Sequence, residues 1–383
     1  MSAWACIALA APLLLAGCKG FWDAPDSNGG GGGGGTTASS GNFYVLHGGK
    51  NQIAGFYVNA GFVTALAGSP YNVTASPVAV AIAPNGNFLY VSTVAGIYLY
   101  TIGSGGRLTP GNLGNPISSD PATSMQVDAT NSWLVEAASG IAQVFAIPID
   151  PATGLATSPV EQFAPLPAST VQQVAISPDN LHVLVAMGSG GTEMVPFTSG
   201  NTNPLGQTSH IAISNPAGAA LSVAVDPQSR LFYVGETAAV SGSNTGGLRA
   251  FNLSTMAELT GSPFATAGLA PYAILPVSSG NYVYVANRQT SAGATGIIAG
   301  FSITPSGTSY SLAALGGTST AGAHTVGLAQ DNTGTFVFAV NYDGNPDLSA
   351  YTFDAAKAGY LDLVISSSTG DDPVQATAIA AVR

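Results

Sequence analysis

The sequence predicts an all-β chain folded as a seven-bladed β-propeller of four-stranded antiparallel blades, with the ring closed by pairing of the C-terminal strand with the N-terminal blade. Three observations predict it. Past residue 40 no stretch sustains a helical period, whereas short runs rich in Val, Tyr, Phe and Ile recur between Gly, Pro, Asn and Asp. One segment, a turn followed by a short aromatic strand, returns as Asn42-Phe-Tyr-Val45, Phe88-Leu-Tyr-Val91, Trp133-Leu-Val-Glu136, His182-Val-Leu-Val185, Leu231-Phe-Tyr-Val234, Tyr282-Val-Tyr-Val285 and Phe336-Val-Phe-Ala339, at spacings of 45 to 54 residues. The two ends are also complementary. The first copy lacks an inner strand before Asn42, and Pro373-Val-Gln-Ala-Thr-Ala-Ile-Ala-Ala-Val382 reads as an inner strand with no blade after it.

Each repeat has one internal order. Val78-Ala-Val-Ala-Ile82, the turn Pro84-Asn-Gly-Asn87, Phe88 to Val91 and Gly96-Ile-Tyr-Leu-Tyr100 read as the first three strands of a blade. The first turn recurs as Asp128-Ala-Thr-Asn131, Ser177-Pro-Asp-Asn180, Asp226-Pro-Gln-Ser229 and Asp331-Asn-Thr-Gly334, residues that set turn dihedrals or cap them with side-chain oxygens. Gly154-Leu155 and Glu258-Leu259 are expected to begin fourth strands. A period near 50 residues accommodates a four-stranded sheet with its turns, and radial repetition of such sheets is a propeller. An open solenoid would need shorter repeats and leave both ends unpaired.

The first eighteen residues carry an apolar run from Ile7 to Leu15 that ends in Leu15-Ala16-Gly17-Cys18. This is the pattern of a lipoprotein signal peptide, with Cys18 as lipid acceptor. The run is far shorter than the ~20 residues that span a bilayer. It departs from the pattern in having no Lys or Arg from Met1 to Cys6. Residues 19–40, with glycine throughout Gly29 to Gly35, read as a flexible tether that holds a body at 41–383 off the membrane surface. Lys19 stands where an Asp often signals inner-membrane retention, so the expectation is an exported lipoprotein of the outer membrane. Both cysteines, Cys6 and Cys18, fall in this N-terminal part, so the body has no disulfide.

A net charge of −11 with only 7% charged residues repels phosphate backbones, which excludes nucleic-acid binding. No His or Cys cluster has zinc spacing, no phosphate-binding Gly-Lys-Ser loop is present, and Gly29 to Gly35 has neither the preceding strand nor the following helix of one. No metal and no cofactor is expected, and the body reads as a monomer.

Pro77 through Val91, Tyr284-Val-Ala-Asn287, and the inter-blade phrases Gly68-Ser-Pro-Tyr71 and Gly261-Ser-Pro-Phe264 resemble the YVTN-type propellers of the lactonase family, which includes bacterial 6-phosphogluconolactonase. The resemblance extends over residues 41 to 383. It implies a lactone-hydrolysing enzyme whose active copy carries Pro-Arg-His at the start of an inner strand. Alignment on the turns places the Arg and His positions at Val374-Gln375, Val78-Ala79, Thr123-Ser124, Gln172-Gln173, Leu221-Ser222, Tyr272-Ala273 and Val326-Gly327, and none carries Arg or His. A phosphorylated lactone needs cations for its phosphate and a group to activate water.

In a propeller the loops into the first strand and those joining the second to the third crowd one end of the axial channel. They bring forward His47 with Lys50, Glu136, Glu236, Asn287, Arg288, Asn341, Asp343 and His324. Arg288 and His324 come from adjacent blades and supply a cation and a titratable base, with Glu236 as the other candidate base. His47, Glu136, Asn287, Asn341 and Asp343 are candidate ligand-binding residues. Asn341-Tyr-Asp-Gly-Asn-Pro-Asp347 has some calcium-loop character, but its spacing fits no full ligand set, and a turn rich in Asx residues explains it. Two functions follow. The first is a lipid-tethered recognition module whose top face binds a glycan, peptide or envelope protein. The alternative is a divergent lactonase with His324 or Glu236 as base and Arg288 steadying the oxyanion.

Overall fold

The computed structural model describes residues 41–59, 62–242, 245–291, 293–307, 309–343, 346–367 and 375–382. The chain divides into an N-terminal unit, Met1–Gly34, and a body, Gly35–Arg383. The signal segment, Cys18 and the tether expected at 1–40 lie outside the described residues.

Blade 1 is ordered Ala376–Ala381, Phe43–His47, Gln52–Asn59, Phe62–Ala65, so the C-terminal strand is its innermost. Blade 2 runs Pro77–Ile82, Phe88–Thr93, Gly96–Ile102, Leu108–Pro110, and blade 3 runs Ser124–Val127, Trp133–Ala137, Gln143–Pro148, Gln162–Pro165. Blade 4 is Gln173–Ile176, His182–Ala186, Thr192–Pro196, Ser209–Ile211, and blade 5 is Ala220–Val225, Leu231–Glu236, Gly247–Asn252, Phe264–Ala265. Blades 6 and 7 share one long strand, Ser309–Gln330. Its first part pairs with Thr295–Ser306 outside Pro271–Pro276 and Tyr282–Asn287, and its end is the inner strand for Phe336–Asp343, Leu348–Phe353 and Leu361–Ser367. The seven inner strands neighbour one another in sequence, and the last, ending at Gln330, meets Ala376–Ala381, which meets Pro77–Ile82. The ring of blades therefore closes with no end blade.

Fourth strands begin later than the sequence suggests. Gly154-Leu155 and Glu258-Leu259 border the isolated bridges Ile149↔Ala156 and Phe251↔Glu258, and the outer strands proper are Gln162–Pro165 and Phe264–Ala265. The reason is a tight turn that folds the chain back on the end of the third strand, closed in blade 3 by Gly154 N–H donating to the Asp150 carbonyl at 2.7 Å.

The core consists of seven clusters, one at each junction between blades. Alternate side chains of each second strand point to opposite neighbours. Phe43 and Val45 pack with Phe338 and Val340 of blade 7, while Tyr44 and Leu46 pack with Leu89 and Val91 of blade 2. Burial on both faces explains why these strands read as unbroken apolar runs. Each large side chain so buried contributes roughly 1.5–3 kcal/mol.

Polar bonds pin the junctions at the opposite end from the candidate loops. Asn131, Asn180 and Ser229 adopt positive φ in equivalent turns, a conformation Asn tolerates well. Their side-chain oxygens accept bonds from the preceding blade: Asn131 from Asn85 N–H, Asn180 from Ala129 N–H and Ser229 from Asp179 N–H, at 2.9–3.2 Å. The Tyr of the repeated strand does the same for the other turn. Tyr44, Tyr90 and Tyr284 donate to the carbonyls of Gly106, Gly154 and Gly359 in the following blade, at 2.6–2.8 Å, whereas the buried Tyr233 hydroxyl has no partner among the described residues.

This contrast gives a paired prediction. Tyr90→Phe orphans a carbonyl and should lower stability by about 1–2 kcal/mol, while Tyr233→Phe removes a hydroxyl that bonds nothing and should be neutral or stabilising. Urea unfolding of both variants tests it, and equal losses would contradict the assignment.

Candidate functional site at the top of blades 6 and 7

The inner strands begin with a shared irregularity. In blades 2, 5, 6 and 7 the pairing with the second strand slips by one residue, leaving Val78, Leu221, Tyr272 and Val326 as the extra residue of a β-bulge. Blades 3 and 4 do the same at Thr123 and Gln172, whose N–H groups donate to carbonyls of Ala137 and Ala186, the residues already paired with Ser124 and Gln173. In blade 1 the slip falls at Thr377. Bulges re-aim side chains, and all seven residues are partly or well exposed. The register corrects one alignment. The blade 1 position is Thr377-Ala378, three residues after Val374-Gln375, because the bulge is set by pairing with Leu46 and His47. The corrected pair also lacks Arg and His.

In blades 1, 2, 5, 6 and 7 the second strand carries a polar residue two positions past the repeated segment, and these mostly serve the fold. Asn287 is fully buried. It accepts from Thr266 Oγ1 at 2.9 Å and donates to the Thr266 carbonyl at 2.8 Å, tying down the loop into blade 6. Asn341, also fully buried, accepts from Thr325 Oγ1 at 2.8 Å and donates to the Pro346 carbonyl at 3.2 Å. Glu236 accepts from Ser214 N–H and Oγ at 2.8 and 2.6 Å and from Arg249 at 2.9 Å. Arg249 in turn grips Glu258 through two bonds at 2.9 and 2.7 Å and covers the Phe251 ring. With both oxygens of Glu236 engaged, this clamp joins the loop after blade 4 to blade 5 and occupies the carboxylate.

Arg288 and His324 each contact one of two consecutive residues of blade 7, Tyr342 and Asp343. The Arg288 guanidinium lies 5.2 Å from the ring centre of Tyr272, the bulge residue of blade 6, and 5.5 Å from that of Tyr342 in blade 7. Among the described residues it has no carboxylate partner. Tyr342 is followed by Asp343, whose carboxylate lies 2.5 Å from Nδ1 of His324. His324 itself adopts positive φ, with its N–H donating to the Ala294 carbonyl at 2.8 Å. The tops of blades 6 and 7 thus carry a cation against two aromatic rings and an imidazole bonded to a carboxylate, both partly exposed. Nδ1 bonded to Asp343 leaves Nε2 free to take a proton. Tyr342 and Tyr272 were not among the residues singled out as candidates. Their signal was visible, since Tyr342 sits between Asn341 and Asp343 and Tyr272 occupies the aligned Arg position.

His47 and Glu136 are buried to about 1% exposure. The Nε2 of His47 has no partner, and burial, with the charge of Lys50 adding, pushes its pKa down to about 4. Glu136 lies at the junction of blades 2 and 3. Burial there, with Glu161 and Asp120 adding negative charge, pushes its carboxyl up to about 8, and one of its oxygens is unpartnered. Among the described residues no group of three acidic, His or Cys side chains is placed to hold a metal ion.

These two groups tilt stability with pH in opposite directions. The raised pKa of Glu136 favours folding fully below about pH 4.5, a contribution lost as pH rises towards 8, and the lowered pKa of His47 favours folding above 6.5, lost as pH falls to about 4. Glu136→Gln mimics the protonated acid. It should change stability little at pH 5 and stabilise by on the order of 1–3 kcal/mol at pH 8. Urea unfolding at both pH values measures this, and a pH-independent difference would mean that Glu136 is not held protonated.

Comparison with known proteins agrees with this architecture. No functionally curated protein matches the sequence. Among solved structures, a candidate 6-phosphogluconolactonase from Bacteroides fragilis is 16% identical with a TM-score of 0.67, the match covering 92% of this chain and 100% of that one. A periplasmic gluconolactonase from Pseudomonas aeruginosa is also 16% identical with a TM-score of 0.68, covering 90% and 99%. Residues 47–377 match the model of the family described as lactonase, 7-bladed beta-propeller. The chain therefore belongs to the lactonase family of seven-bladed β-propellers.

Proposed function

We propose that this protein is an exported, lipid-anchored lactonase that hydrolyses an unphosphorylated lactone at the top of blades 6 and 7. The observation that supports the reading is that Arg288 lies against Tyr272 and Tyr342 while Asp343, the residue after Tyr342, bonds His324, in a propeller of the lactonase family. His324 Nε2 takes a proton from water as the water oxygen attacks the lactone carbonyl. The carbonyl oxygen gains negative charge opposite Arg288. The ring C–O bond then breaks, and the departing oxygen takes the proton back from His324, leaving a hydroxy acid. Asp343 holds the imidazole in the tautomer this needs. A phosphorylated substrate is disfavoured because all seven bulge residues are uncharged and the site offers one guanidinium to a dianion.

Export is supported by the Leu15-Ala16-Gly17-Cys18 sequence and by likeness to a protein described as periplasmic. Among the described residues no helix is long and apolar enough to cross a membrane.

Purified body should turn over plain sugar lactones faster than spontaneous hydrolysis, with Arg288→Ala and His324→Ala each lowering kcat/KM by ~10²–10⁴-fold and 6-phosphogluconolactone turned over poorly. Binding of a sugar acid without turnover would replace this reading with a recognition module for a glycan, peptide or envelope protein. In cells, radiolabelled palmitate should enter the wild type and not Cys18→Ser, with the label in the outer-membrane fraction. Unlabelled wild type in the cytosol would remove the anchor from the proposal.

A further inference from the structure

Outside the top-face site, a second cluster combines a cavity with an unused titratable pair. A groove of about 470 Å³ lies at the rim between blades 3 and 4, lined by Pro165, Leu166 and Pro167 on one side and by Glu193, Thr208 and His210 on the other. Its size falls in the range of small-molecule sites, which are typically apolar walls with a few placed polar groups. Glu193 is 1% exposed, and its Oε1 lies 2.7 Å from Nδ1 of His210, whose side chain is about half exposed. The other oxygen of Glu193 has no partner, nor has the buried Oγ1 of the adjacent Thr192. A buried carboxylate left half satisfied is costly to a fold, so a structural role accounts poorly for this pair.

We infer that this groove is a second ligand site, one that binds a neutral saccharide ring through His210. The chemistry follows from what lines it. In the tautomer that donates Nδ1–H to Glu193, Nε2 of His210 is an acceptor on a half-exposed side chain, which calls for a ligand with a donor such as a hydroxyl. Pro165, Leu166 and Pro167 offer an apolar wall suited to the C–H face of a sugar ring. An anionic ligand would meet the Glu193 carboxylate with no Lys or Arg among the lining residues to offset it, in a chain of net charge −11. A cationic ligand gains no direct ion pair, because the Glu193 oxygen left without a partner is buried and the other is taken by His210. The site is built entirely by blades 3 and 4 and is independent of the lactonase reading.

The test is a glycan array carrying neutral, acidic and amino oligosaccharides, probed with the purified body and followed by calorimetric titration of the best neutral hit. The wild type should bind a neutral oligosaccharide in the millimolar range or tighter. His210→Ala should weaken it at least tenfold, as should Thr208→Trp, which fills the groove without touching the pair. Glu193→Gln, which keeps the bond to Nδ1 as acceptor but not its charge, should weaken it less. Arg288→Ala should leave saccharide binding unchanged, and His210→Ala should leave lactone turnover unchanged, so the two sites fail separately. No neutral saccharide bound at 10 mM, selective binding of acidic or amino sugars, or binding indifferent to His210→Ala and Thr208→Trp would overturn the inference. Unchanged thermal unfolding of the variants confirms that each is folded.

Discussion

The structure depends on one constraint, that the second strand of every blade is buried on both faces. Phe43, Val45, Tyr44 and Leu46 are all fully buried, the first two against blade 7 and the others against blade 2. A strand of this kind cannot end a stack, since each face left open would return apolar surface to water at roughly 25 cal/mol per Å². Seven such strands are satisfied only when the seventh meets the first. Closure through Ala376–Ala381 is therefore part of the core: Ala376 packs in the same cluster as Phe43 and Phe338.

The same constraint decides what the polar residues at the strand ends do. Where a doubly buried strand emerges, its terminal polar side chain is still largely enclosed and must find partners nearby. Asn287 and Glu236 find them in the loops leading into the inner strands of their own blades, Asn341 at Thr325 of its inner strand and at Pro346 in the loop to its third strand, and Thr93 at the carbonyl of Gly96, 3.1 Å away. These residues stiffen the face on which a site can form. The groups left for chemistry lie one or two positions further on, at Arg288, Tyr342 and Asp343, where the chain has cleared the core.

Repeat length, turn residues and the complementary ends were legible in the sequence because each is a local pattern reused in every blade. What depends on register was not. The bulge at Thr377 could not be placed, since it is set by pairing with Leu46 and His47, more than three hundred positions away. Nor could the Arg249 clamp on Glu236 and Glu258 be read from a list of charges, so Glu236 resembled a free base. Arg288 and His324 were recognisable because each stands near the end of a repeat, where position alone implies the top face. Glu193 and His210 fall in the variable outer half of a blade, and only the pairing of Thr192–Pro196 with Ser209–Ile211 brings them together.

Scarcity of charge shapes the chemistry open to such a body. Of eight Lys and Arg residues, Arg230 pairs with Asp226, Arg249 with two glutamates, and Arg288 is held by aromatic rings. A guanidinium on ring faces sheds water more readily than one in solution, which strengthens its pull on a nearby developing oxyanion. Lactone hydrolysis converts an uncharged substrate into a carboxylate in a protein of net charge −11. The overall field is therefore indifferent to the substrate and unfavourable to the product, opposing retention of the hydroxy acid once it has formed. Asp343 adds to this locally. On the proposed lactonase reading, the negative field opposes both the oxyanion and the carboxylate product, so it is the placement of the one cation, Arg288, that has to favour the former.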